Sequence, residues 1–168
     1  MRILIALFIV SFSWVGSAQN SQQPTTTTYF FIRHAEKDLS NPKDHNPKLT
    51  EAGKIRSKNW AKILEDTPID YVYTTDYIRT KKTAAPIAKS KGLEMKIYNP
   101  KKLNDIDFQQ NTIGKTTVVV GHSNTTPTFV NKIIGKNKYN SIDETIYGKL
   151  FIVKITGEVI TDTVLIIN

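Results

Sequence analysis

The chain has 168 residues, 39% of them hydrophobic, no cysteine and a formal net charge of +8, a length that suits one domain with a sizeable core plus a removable leader. The absence of cysteine excludes disulfides, a thiolate nucleophile, Cys-type zinc sites and a lipoprotein anchor, and leaves the compartment open, since a reducing cytoplasm tolerates the same composition. The positive charge can steer anionic substrates, but with no recognised binding motif and no interleaving of aromatic and basic residues it is weak support for a nucleic-acid partner, and none is expected.

Met1-Arg2 followed by the apolar run Ile3 to Val15 has the form of a secretory leader, with the small residues Gly16-Ser17-Ala18 ahead of a cleavage point before Gln19. The run is shorter than the roughly 20 apolar residues a spanning helix needs. The expectation is a signal peptide over residues 1–18, a periplasmic or secreted product, no stable membrane insertion after its removal, and a formal charge of +7 once Arg2 is lost. Residues 19–28, polar, threonine-rich and containing Pro24, read as a flexible segment, and residues 29–168 as a single domain.

That domain opens with a strand at Tyr29-Phe30-Phe31-Ile32. Asp38 to Lys48 is a polar loop with Pro42 and Pro47, ending where Thr50 can cap a helix whose buried face is drawn by Ala52, Ile55, Trp60, Ile63 and Leu64. Pro68 precedes a strand at Tyr71-Val72-Tyr73, and Asp76 is placed to cap a second helix reaching Gly92, with Pro86 expected to kink or interrupt it. A short strand follows at Met95 to Tyr98, then an irregular stretch from Leu103 to Gly114 that reads as loop, then a strand at Thr116 to Val120. Thr126-Pro127 has the form of an N-cap with proline at the first helical position, and Gly135 closes that helix. Leu150 to Ile155 and Val159 to Ile167 read as a hairpin turning near Thr156-Gly157. Helices alternating with strands predict an α/β sandwich whose last strands are antiparallel.

Three of the strand-like runs end in residues with chemistry. Arg33-His34 follows the first, Thr74-Thr75-Asp76 leads from the second to Arg79, and Gly121-His122-Ser123-Asn124 follows Val118-Val119-Val120. In open α/β sheets ligands bind outside the carboxyl ends of the strands, so two histidines and two arginines would share one pocket. A histidine beside an arginine at a buried strand end points to a nucleophile paired with a cation that binds an oxyanion.

Four motifs in this order resemble the histidine phosphatase superfamily, branch 1, with its phosphoglycerate mutase-like fold, and within it the small, lidless phosphohistidine phosphatases. Arg33-His34-Ala35 is an alanine variant of the family's Arg-His-Gly, Leu49-Thr50-Glu51-Ala52-Gly53 resembles its helix-opening Leu-Thr-x-x-Gly, Tyr73 to Ala84 its arginine-bearing element, and Gly121-His122-Ser123-Asn124 its second-histidine motif. The resemblance covers about Tyr29 to the C-terminus. It implies a three-layer α/β/α sandwich with a mostly parallel sheet and a C-terminal antiparallel hairpin, and a phosphatase that needs no metal or cofactor.

In that reading His34 attacks phosphorus and carries a covalent phosphohistidine, dividing a slow hydrolysis into two steps. Arg33 and Arg79 hold non-bridging oxygens with their planar forks, His122 donates to a phosphoryl oxygen, and Asn124 or the amides beside it add contacts at a helix N-terminus. The leaving oxygen needs a proton. Leu103-Asn104-Asp105-Ile106-Asp107-Phe108 resembles a family segment in which a glutamate stands where Asp105 does here, and Gln109 departs from the family's glycine. Asp105 is the first candidate for the acid, with Asp107 and Glu36 as alternatives, and some small members have no dedicated acid. His45 lies in the polar loop as a solvated residue that at most shapes the entrance. The expected partner is a phosphorylated small molecule or macromolecule, and the chain reads as a monomer. Two other readings stay open: an inactive phosphate-binding or anion-binding member of the fold, and a metal-dependent hydrolase suggested by the His34-Ala35-Glu36 fragment, which lacks any complete ligand set.

Overall fold

The computed structural model describes residues 25–167. The leader expected over residues 1–18, its cleavage point and the first part of the flexible segment lie outside the described residues. From Thr26 onward the polar stretch is already strand, because the threonines of β1 (Thr26–Arg33) pair with both neighbours: Thr28 is opposite Thr116 on one side and Lys154 on the other.

The elements then follow in the order α1 (Glu51–Ile63), β2 (Tyr71–Thr74), α2 (Ile78–Lys91), β3 (Met95–Ile97), α3 (Ile106–Thr112), β4 (Thr116–Gly121), α4 (Thr125–Ile134), β5 (Lys149–Thr156) and β6 (Val159–Ile166). One six-stranded sheet runs β3-β2-β4-β1-β5-β6. The pairings β3-β2, β2-β4 and β4-β1 are parallel, while β1-β5 and β5-β6 are antiparallel. This is the α/β sandwich with a C-terminal hairpin that the residue pattern and the resemblance both predict.

Period-two alternation divides each central strand between two cores. On one face Ile32, Val72, Val118, Val120 and Leu150 pack with Trp60 and Leu64 of the α1 region and with Ala84, Ile87 and Ala88 of α2. On the other, Tyr29, Phe31, Tyr73, Val119 and Phe151 meet Phe108 of α3 and Phe129, Val130 and Ile133 of α4. The helices therefore change face after β3, and the chain returns to insert β4 between β2 and β1. That insertion places the carboxyl ends of β1 and β4 side by side at a topological switch point, the usual position of a ligand crevice.

Several elements differ from the sequence expectation. The buried side of α1 consists of Gly53, Ser57 and Trp60, while Ile55 and Ile63 are exposed. The reason is close approach: a Cβ on Gly53 would stand 2.3 Å from the Glu36 carbonyl oxygen, so the first turn of the helix has room only for glycine where it meets the segment that follows β1. Asp76 does not cap α2; it pairs with Lys81, and the first helical amide, Ile78 N, is taken by Asn46 Oδ1 at 2.8 Å. Pro86 neither ends nor interrupts α2, since Lys82, whose carbonyl loses a partner, is exposed and open to water. The stretch read as loop contains α3, capped by Asp105. Asn124, not Thr126, caps α4, which puts Pro127 at its third position, still within the first turn where an amide is not required. Among the described residues no helix is long and apolar enough to cross a membrane.

Candidate active site

The end of β1 and the end of β4 bring the two histidines together. His34 N donates to Gly121 O at 2.9 Å, and the His34 and His122 rings lie 5.7 Å apart at 70°. Gly121 permits this junction, because a Cβ there would meet Thr126 Oγ1 and the Tyr98 hydroxyl at 2.7 and 2.8 Å. The start of α2 is tied to the same place through Thr83, whose hydroxyl accepts from Ala35 N at 2.9 Å and donates to Arg79 O at 2.8 Å.

A cavity of about 890 Å³ opens there. Its floor is His34 and His122, its cations are Lys37, Arg79 and Lys101, and Ser123, Asn124 and Thr125 present the N-terminal turn of α4. Tyr77 and the Ser141–Glu144 segment complete its wall. Of the residues expected at the site, His34, Arg79, His122 and Asn124 line this cavity.

His34 is almost wholly buried, and its Nδ1 contacts the Ala35 carbonyl at 2.8 Å. A carbonyl only accepts, so Nδ1 carries the proton and Nε2 keeps a bare lone pair. Burial, helped by the nearby charges of Arg33 and Arg79, holds this imidazole down at about 3 despite that hydrogen bond. The ring is therefore neutral at physiological pH, the form a nucleophile needs.

His122 is fixed by a chain of buried hydroxyls. Thr80 Oγ1 donates to the carbonyls of Thr75 and Tyr77 and so must accept from Thr75 Oγ1, at 2.9 Å. Thr75 Oγ1, its own hydrogen spent, accepts from His122 Nε2 at 3.0 Å. The other ring nitrogen, Nδ1, then accepts from Arg79 Nη2 at a long 3.4 Å. Burial first, then Arg79 and Lys37, lower this imidazole to about 4. Arg79 stacks over the Tyr77 ring, 4.5 Å from its centroid, and reaches the His45 carbonyl, so exposed His45 meets the site through its backbone alone. Asn124 Oδ1 accepts from Thr125 N at 2.8 Å, which leaves the Asn124 amide hydrogens for a ligand.

Arg33 sits differently from its expected role. Its side chain is 0% exposed. Nη1 donates to the carbonyls of Asp143 and Ile146 at 2.9 Å each, Nη2 to Glu144 Oε2 at 2.5 Å, and the guanidinium stacks 4.2 Å over Tyr147. A buried guanidinium must find acceptors, and this segment provides them for Nη1 and Nη2, while Nε has none among the described residues. Arg33 therefore meets the cavity through Glu144.

The acid candidates are also elsewhere. Asp105 accepts from Phe108 N at 2.9 Å as the cap of α3, and it lines a separate cavity together with Asp107. Glu36 binds Arg56 Nε at 2.8 Å, away from the cavity lining, so His34 and Glu36 do not form a shared ligand pair. Asp143 and Glu144 are the carboxylates that line the cavity; sequence reasoning missed both, and Glu144 is the one bonded to the cations there. It accepts from Arg33, from the Ser123 hydroxyl, and lies 3.8 Å from Lys37 Nζ. Burial works against its charge, but Ser123, Arg33 and Lys37 together hold the carboxyl below its usual range. The signal that could have found it is topological: β5 runs antiparallel to β1, with Leu150 opposite Ile32, so residues just before β5 must arrive beside Arg33.

The profile of the histidine phosphatase superfamily (branch 1) matches residues 29–126. The chain belongs to that superfamily. Solved structures agree on the fold. The protein histidine phosphatase SixA in complex with tungstate superposes with a TM-score of 0.63 at 15% identity, over 83% of this chain and 96% of that one. A mutant of phosphoserine phosphatase from Entamoeba histolytica, in complex with phosphoserine, gives 0.61 at 14% identity over 82% and 95%, and phosphoglycerate mutase from Bacillus anthracis gives 0.60 at 13% identity over 85% and 94%. At these identities the likeness is one of fold. No curated protein matches the sequence. Superfamily membership supports a phosphatase acting on phosphorylated substrates.

Proposed function

We propose that the chain is an exported, metal-independent phosphatase that hydrolyses a phosphate monoester or phosphoramidate through a covalent phosphohistidine on His34. The observation that carries this reading is the His34 Nδ1 contact with the Ala35 carbonyl, which leaves Nε2 unprotonated in a ring facing a cation-lined cavity. In the first step Nε2 attacks phosphorus as the bond to the leaving oxygen breaks. Lys37 and Arg79 hold the non-bridging oxygens, with the Asn124 amide at the N-terminus of α4. His122 joins them through Nδ1 once the incoming dianion raises its affinity for a proton, its Nε2–H staying on Thr75. Water then attacks the phosphohistidine and releases inorganic phosphate.

Small phosphate esters, a phosphorylated envelope glycan and phosphohistidine are the candidate substrates, the last named for the SixA structures that share the fold. Export is supported by Arg2, the apolar run and the small residues ending at Ala18. The engagement of Arg33 by Glu144 favours a second reading, an anion-binding member without turnover.

One experiment separates them. The chain from Gln19 onward is mixed with a labelled activated phosphoester in EDTA and quenched in acid, with His34→Ala alongside. An acid-labile, base-stable label present on the wild type and absent from the variant is expected. A folded wild type that binds vanadate but is never labelled by a range of donors would leave the anion-binding reading, and activity lost to EDTA would move the chemistry to a metal.

A further inference from the structure

The first chemical step leaves an oxygen that needs a proton, and the positions of the carboxylates narrow the source. Asp105 and Asp107 line another cavity, Glu36 is bound to Arg56, and of the two carboxylates in the wall Asp143 turns Oδ1 to Thr145 N and Oγ1 at 2.8 and 2.5 Å, while Glu144 is the one paired with Arg33 and Lys37. It lines the same cavity as His34, and its side chain is 62% exposed where His34 is 2% exposed, so the carboxylate stands at the mouth above a buried nucleophile. In-line displacement places the leaving oxygen opposite the attacking nitrogen, and a substrate larger than phosphate must extend through that mouth.

We infer that Glu144 is the catalytic carboxyl that protonates the leaving oxygen and then deprotonates the attacking water, an inference that rests on His34 being the phosphorylated nucleophile. In the substrate-free protein Arg33 Nη2, the Ser123 hydroxyl and Lys37 hold Glu144 ionised. A phosphoryl dianion bound against Lys37 and Arg79 brings a second negative charge beside it, and like charges raise a carboxyl's affinity for a proton. Glu144 takes that proton from solvent as substrate binds. The P–O bond then breaks as the His34 Nε2–P bond forms, and the proton moves from Glu144 to the departing oxygen. In the second half the Glu144 carboxylate accepts a proton from water, whose oxygen bonds to phosphorus as the P–N bond breaks.

The test is the response to leaving-group acidity. Wild type, Glu144→Gln and Glu144→Asp are assayed on 2,4-dinitrophenyl phosphate, whose leaving group needs no proton, and on phenyl phosphate, whose leaving group does. General acid catalysis is worth about 10²–10⁴-fold, so Glu144→Gln is expected to lose about 100-fold or more in kcat on the phenyl ester and under about threefold in phosphorylation by the dinitrophenyl ester, with Glu144→Asp between. Equal losses on both esters would overturn the assignment and make Glu144 a positioning residue. A gain on both, with tighter vanadate binding, would overturn it in favour of a resident anion that competes with substrate. If the wild type forms no phosphoenzyme at all, the His34 reading falls and this inference with it; if the phosphoenzyme forms and the two esters respond alike, only Glu144 is reassigned.

Discussion

Thr75→Val isolates the hydroxyl that fixes the second histidine. Thr75 is fully buried, and its Oγ1 accepts the His122 Nε2–H at 3.0 Å while donating to Thr80 Oγ1. Valine keeps the shape, so no cavity forms, but the imidazole N–H loses its acceptor. Thr80 is spared, because its own hydrogen goes to the carbonyls of Thr75 and Tyr77. An unsatisfied buried polar group costs about 1–3 kcal/mol, and the alternative tautomer, protonated at Nδ1, would direct an N–H at the Arg79 guanidinium. Urea unfolding is expected to show a loss of about 1–3 kcal/mol with an unchanged denaturant slope, and turnover should fall as His122 loses its orientation. Thr75→Ser, which keeps the hydroxyl, should recover turnover more fully than it recovers stability. A Thr75→Val protein as stable and as active as wild type would refute the argument that this hydroxyl chain positions His122.

Two further outcomes follow from packing and from protonation. Gly53→Ala should destabilise the protein by about 1–3 kcal/mol through overpacking, although alanine is the better helix former by about 1 kcal/mol, because its Cβ would stand 2.3 Å from the Glu36 carbonyl oxygen; chemical denaturation showing a more stable variant would contradict that close approach. His34, lowered from 6.5 to about 3 by burial, binds fewer protons folded than unfolded, so its contribution to stability is complete above about pH 6.5 and declines as pH falls towards 3. Between pH 7.5 and pH 5, before most carboxylates titrate, it alone should remove on the order of 2 kcal/mol; His122, lowered to about 4, adds a similar loss, so His34→Asn should remove about half of that slope.

What could be read in the sequence was whatever the chain encodes locally. Apolar runs bounded by turn residues located the central strands, and the polar residues at their ends located the site, because β1, β2 and β4 carry their functional residues at their own carboxyl ends. The face of α1 was misread because close approach selects small residues: Gly53 and Ser57 carry no hydrophobic signal, while exposed Ile55 does. α3 was missed because only Phe108 and Thr112 are buried along its seven residues, too few to set a period.

Asp105 shows the same limit in chemistry. An aspartate three residues before a phenylalanine reads equally as a capping residue or as a catalytic acid, and only the Oδ1 contact with Phe108 N makes it the cap. Arg33 and Glu144 depend on tertiary structure altogether. Arg33 lies on β1 and Glu144 precedes β5, 111 residues apart in sequence, with no periodicity to mark the latter. Their meeting follows from the antiparallel register of Ile32 with Leu150. That register makes the C-terminal hairpin part of the site as well as of the sheet: it delivers the carbonyls that hold Arg33 and the carboxylate that shares a cavity with His34. Weakening the β1-β5 pairing would therefore act on the cavity through Arg33, a route that no inspection of the histidine motifs by themselves would reveal.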